Sequence, residues 1–158
     1  MNEVIERAKE NTVRCKERLL KTFSFVADDK LTWTPSDTAH SALRIVAHCA
    51  VANYGFARFL RGKESKADSL SDALAMMASK EKEIATRAQA VQAFEASAAA
   101  VLEALDAMTV ELMTSEVRGP FGPMPMTFWV ALPGRHMDNH AAQIDYLQTC
   151  WGDLEFHM

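Results

Sequence analysis

The sequence predicts an all-α four-helix bundle. Long segments carry apolar residues at steps of three and four. Alanine and methionine are abundant while β-branched residues are sparse. Glycine and proline collect mostly in the connections, with Gly55 and the Pro133-Gly134 pair inside helical segments. The chain has 158 residues and is 49% apolar, enough for one domain over 1–158 with a substantial core.

The first helix is read from the stripe Val4, Ala8, Cys15, Leu19, Thr22 and Val26 and should run to about Ala27. Leu31 to Pro35 forms an extended connection, because the residue before a proline avoids helical geometry. Ser36 or Asp37 is the expected cap of a second helix running to Leu60 or Arg61, with Gly62 as its stop. This segment is apolar around much of its surface and should be the most buried. Arg61 to Ser71 is polar. A short helix is expected from Ser71 or Asp72, including Leu74 and Met77; its continuity with the third long helix is left open. That third helix carries Val91, Phe94, Ala98, Val101, Leu102, Leu105 and Met108.

Thr109 to Met126 breaks the pattern. Gly119-Pro120-Phe121-Gly122-Pro123 excludes helix interior, and Val110-Glu111-Leu112 and Glu116-Val117-Arg118 read as short extended pieces. A last helix restarts near Met126 or Thr127 and reaches about Trp151. Pro133 removes one of its backbone hydrogen bonds and should kink or split it. The short first connection makes helices one and two antiparallel. The long second connection lets helices two and three run parallel.

Net charge is −4 and the pI about 5.7, which argues against nucleic-acid binding or a polybasic membrane patch. No 18-residue apolar run is present, so no membrane span is expected. The charged N-terminus does not read as a signal peptide. Cys15, Cys49 and Cys150 show no CxxC spacing and read as reduced thiols in a cytoplasm, with Cys15 and Cys49 as core residues.

His136 and His140 carry the most chemistry. Four residues apart on a helix, both imidazoles leave one face, about 6 Å apart along the axis. Two such side chains can grip one metal ion from one side, although a solvated face or a satisfied buried pair fits the spacing equally. The best third donor is His48, in an apolar helix where an imidazole must be hydrogen-bonded or bound to something. Three histidines would leave a coordination position open, as catalytic sites do. His40 is a reserve ligand or an exposed first-turn residue, and His157 is expected frayed and solvated. Gln143, one turn beyond His140, either supports a ligand or is a surface amide. Asp138 and Asn139 point away from the pair. Asp37, Arg44 and Arg135 are candidates for the pocket mouth or plain surface charges.

Trp33-x-Pro35 ahead of a helix with Ala47-His48, then His136-x-x-x-His140-x-x-Gln143-Ile144 on the last helix, resembles the DinB-like superfamily over nearly the whole chain. The resemblance implies an up-down-down-up bundle and a divalent metal held at His48, His136 and His140. Nickel or zinc is the usual ion, with iron and manganese as further options. It also implies a homodimer, for which an exposed Trp129 or Trp151 would speak. Relatives include thiol-dependent S-transferases and isomerases that use low-molecular-weight thiols. The Pro133-Gly134 pair departs from the uninterrupted helix usual there. The expectation is therefore a metal-dependent enzyme of the thiol-transferase type acting on a small molecule. A metal-dependent hydrolase, a module that binds metal or a small ligand or serves a stress response, and a helical interaction protein with structural histidines remain alternatives.

Overall fold

The computed structural model describes residues 2–155 and 157. The long helices are α1 (Asn2–Ser24), α2 (Ala42–Leu60), α4 (Arg87–Asp106) and α6 (Met126–Cys150). A twelve-residue helix, α3 (Leu70–Glu81), lies in the α2–α4 crossover. One helical turn, α5 (Val110–Met113), precedes the antiparallel hairpin β1 (Glu116–Gly119) and β2 (Gly122–Pro125).

Paired residues give the directions. Along α1 and α6, Asn11 meets Gly134, Arg18 meets Asp138 and Thr22 meets Gln148, so these helices are parallel. Along α2 and α4, Asn53 meets Ser97 and Arg61 meets Glu103, again parallel. Between α2 and α6 the order inverts: His48 with His140, Asn53 with Met137, Phe59 with Trp129. The topology is up-down-down-up, and the long crossover containing α3 is what lets α2 and α4 point the same way.

The core has two parts. Cys15, Leu19, Phe23, Ile45, Phe94, Met137 and Ile144 fill one. Phe56, Leu60, Val101, Leu105, Met126 and Trp129 fill the other. Burying each of the large side chains contributes about 1.5–3 kcal/mol.

Several boundaries differ from the sequence expectations. α1 stops at Ser24, and a 3-10 turn follows over Asp28–Lys30. Arg87 of α4 donates to the Phe23 and Val26 carbonyls and to Asp28, taking up acceptors left over at that helix end. α2 is capped by Ser41, which accepts from the Arg44 amide, and not by Ser36 or Asp37. Ser36 to Thr38 are exposed, so helix there would have no face to bury; burial begins at Ser41 and Ala42. α3 starts one or two residues early, at Leu70 on the Ser69 cap, and is separate from α4, which opens on a Thr86–Gln89 capping box.

Val110-Glu111-Leu112 is helical rather than extended, because the Thr109 hydroxyl accepts from the Leu112 amide and nucleates the turn. Glu116 to Arg118 is the strand expected of it. Pro133 neither splits nor ends α6, which runs unbroken through it. Pro133 and Gly134 are both buried, and the packing that covers them outweighs the one lost hydrogen bond. Trp129 is fully buried, its indole donating to the Val117 carbonyl at 3.1 Å, and Trp151 is half-buried edge-on against Trp33. Neither ring marks an exposed face. Among the described residues no helix is long and apolar enough to cross a membrane.

Candidate metal centre

His48 stands near the middle of α2, on the side turned toward α6. His136 and His140 lie one turn apart on α6, facing it. The antiparallel α2–α6 pairing brings the three rings together. His136 Nε2 is 3.3 Å from His48 Nε2 and 3.3 Å from His140 Nε2. One nitrogen from each ring lies within 4.8 Å of the others. The Phe56 ring stands edge-on to His136, with centroids 5.1 Å apart, and closes one side.

The second nitrogens bear on what the cluster could hold. His48 Nδ1 donates to Glu81 Oε1 at 2.8 Å. His140 Nδ1 donates to Gln143 Oε1 at 2.8 Å. A neutral imidazole that donates from Nδ1 has a bare lone pair on Nε2. Two lone pairs thus converge beside the third ring, an arrangement that repels itself unless a proton or a cation sits between them. Neutral imidazoles fixed by carboxylate and amide partners suit a divalent cation. Nickel, zinc and iron suit such nitrogen donors, whereas manganese prefers oxygen ligands. His136 Nδ1 is buried with no partner, one of two such orphaned side-chain atoms among the described residues; the other is Asn53 Oδ1.

Burial sets the charge state. His136 is pulled down to about 3, by desolvation first and then by His140 and His48. His140 is also lowered, mainly by burial, with the Gln143 contact opposing. Both are neutral near pH 7, the form that binds metal. Burial raises the thiols of Cys15 and Cys49, which are core residues and inert.

The remaining candidates divide. His40 is not in a helical first turn; it precedes α2, half-buried, with its ring 6.3 Å from that of His48. Burial, then Arg44, lowers its pKa. Arg44 reaches Glu81 Oε2 at 3.5 Å and lines a cleft of about 170 Å³ with Ser41, Leu43, Lys82 and Ile84. Asp37 is exposed in the connection, and Arg135 lies over Phe128. Asp138 faces away and pairs with Arg18. His157 is not frayed: it stacks on Phe25 and bonds Asp153 at 2.8 Å.

Glu81 is the residue that sequence reasoning missed. It ends α3 with 6% of its surface exposed. The readable signal was its position on the half-buried stripe Ala73, Met77, Ala78 and Ile84, where a carboxylate is out of place.

A family model of the DinB superfamily matches residues 11–144, most of the chain. This chain belongs to the DinB superfamily. The DinB-type bundle is also similar to the crystal structure of the mycothiol-dependent maleylpyruvate isomerase, with a TM-score of 0.71 at 15% identity. The match covers 89% of this chain and 60% of that one, so this chain spans less than two thirds of its neighbour's length. At that identity the likeness is one of fold. No curated protein matches the sequence.

Proposed function

We propose that this DinB-superfamily chain is a metal-dependent enzyme. In this reading His48, His136 and His140 hold one divalent cation, nickel or zinc first. The substrate is a small electrophile and the co-substrate a low-molecular-weight thiol, as in S-transfer. The observation that carries the reading is the convergence of the three Nε2 atoms, two of them with lone pairs directed inward by Glu81 and Gln143.

A bound cation would supply Lewis acidity, favouring the anionic form of a coordinating sulfur at neutral pH. The chain's own part is positioning. Three neutral ligands leave the full cationic charge available to a ligand on the open side. Glu81 and Gln143 hold His48 and His140 in the metal-binding tautomer, and Phe56 excludes water next to His136. The neighbour's dependence on mycothiol supports a thiol co-substrate. The hydrolytic alternative would use the same cation to supply hydroxide, and neither reading has a free general base beside the cluster among the described residues: Glu81 is engaged by His48 and Arg44, Asp138 by Arg18. The proposal takes residues 1–158 as one domain, in the cytoplasm, assembled as a homodimer.

Elemental analysis of untagged protein tests the centre. One equivalent of metal is expected in the wild type and a loss in His48→Ala, His136→Ala and His140→Ala. A panel of thiols with electrophiles, with and without metal, tests the reaction; turnover that ignores both would sink it.

A further inference from the structure

α3 is held to the bundle in an unusual way. Leu70, Leu74 and Met76 are exposed, and Glu81 is the residue that the helix buries. A buried carboxylate is costly unless compensated. Among the described residues its compensation comes from α2: His48 Nδ1 at 2.8 Å and Arg44 Nε at 3.5 Å, one turn apart on the same face. Among the described residues, the hydrogen bonds and ion pairs that tie α3 to the long helices all run through Glu81.

We propose that Glu81 is a positioning residue for the cation site, and that it makes cation binding and the docking of α3 reciprocal. The inference rests on the reading that the three histidines hold a metal. The Glu81 carboxylate accepts the His48 Nδ1 proton and so keeps the Nε2 lone pair free for the cation. A cation on Nε2 withdraws charge from the ring and strengthens the Nδ1–H bond to an ionised acceptor. Whatever free energy Glu81 contributes to cation affinity, the cation returns to the seating of α3. α3 is therefore a latch whose closure reports the state of the metal site, and the cleft beside Arg44 and Lys82 moves with it.

The test is titration calorimetry of Zn²⁺ into metal-free protein, wild type and Glu81→Gln, paired with hydrogen exchange of α3 amides with and without Zn²⁺. Glutamine keeps the shape and one acceptor but removes the charge. Affinity should fall about 10–100-fold in the variant. Zn²⁺ should slow exchange across α3 in the wild type, and this slowing should shrink in the variant. Unchanged Zn²⁺ affinity in Glu81→Gln, or α3 exchange unmoved by Zn²⁺ in the wild type, overturns the proposal while leaving the metal centre standing. A wild type that takes up no Zn²⁺ sinks both. Should Glu81→Gln fail to fold, the wild-type exchange measurement decides alone.

Discussion

Gly134 of α6 lies so tightly against Asn11 of α1 that a Cβ at 134 would run into the asparagine side chain and press on its backbone. The Asn11 side chain has little freedom to yield, since its Oδ1 accepts from Arg14 at 2.6 Å and lies 3.5 Å from the Cys15 sulfur. The pair sets the spacing of the two parallel helices just before the His136–His140 face.

Gly134→Ala should therefore destabilise. Overpacking costs about 1–3 kcal/mol while the gain in helix propensity is about 1 kcal/mol, so a net loss of roughly 1 kcal/mol is expected. Gly55, in the interior of α2 with nothing within 4 Å of an added Cβ, provides the contrast. Gly55→Ala should stabilise by about 0.5–1 kcal/mol. Urea denaturation of both variants checks the opposite signs; equal effects would refute the close-contact account.

The metal-free protein should lose stability as pH falls from about 6.5 toward 3. His136 has its folded-state pKa lowered to about 3, against an ordinary value of 6.5. Between these values the unfolded chain binds a proton that the folded chain refuses, so stability rises with pH across that window. The slope from this one histidine approaches about 1.4 kcal/mol per pH unit. Thermal melts of wild type and His136→Gln over that range measure it, and parallel curves would count against it.

Metal should stabilise the fold by mass action. At a free concentration one hundred times its dissociation constant, the gain is about 2.7 kcal/mol, visible as a rise in Tm that a chelator reverses. In His140→Ala the rise should be much smaller. An identical rise in that variant would place the ion elsewhere.

Two polar contacts across α1 and α6 should differ in weight. Thr22 is buried, its hydroxyl donating toward Asp145 and Gln148, and Thr22→Val should cost about 1–3 kcal/mol by leaving the buried Gln148 Oε1 short of a donor. Arg18 bridges Asp138 and Asp145 with 39% of its side chain exposed, so Arg18→Met should cost about 1 kcal/mol or less. Denaturation midpoints that reverse this order would contradict the burial argument.

Trp129→Phe removes the donor to the Val117 carbonyl and should cost about 1–3 kcal/mol. The loss should fall on the hairpin, whose Gly119 lies against the indole so closely that no Cβ fits. Hydrogen exchange should quicken in β1 and β2 more than in α4; a uniform change would refute this.

The long helices were legible because each carries one apolar stripe, as with Leu19 and Phe23 in α1 or Phe94 and Val101 in α4, and a stripe is a local property. Helix ends were less so. Arg87 takes the carbonyls at the end of α1 from 64 residues away, and nothing near Ser24 announces that. The Pro133–Gly134 pair reads locally as a break, and only the face of α1 shows that it is a contact.

By itself the sequence determined an all-α chain, its crossover, and the histidines able to meet, since periodicity and residue type are written along the chain. The tertiary structure decided the rest. It selected Glu81 as the partner of His48, drew His40 toward the same rings, left His136 Nδ1 without one, and lowered the pKa of His136 and His140 by burial. These depend on which side chains approach through space and on how much water they lose, and burial and hydrogen-bond geometry arise only when the helices pack.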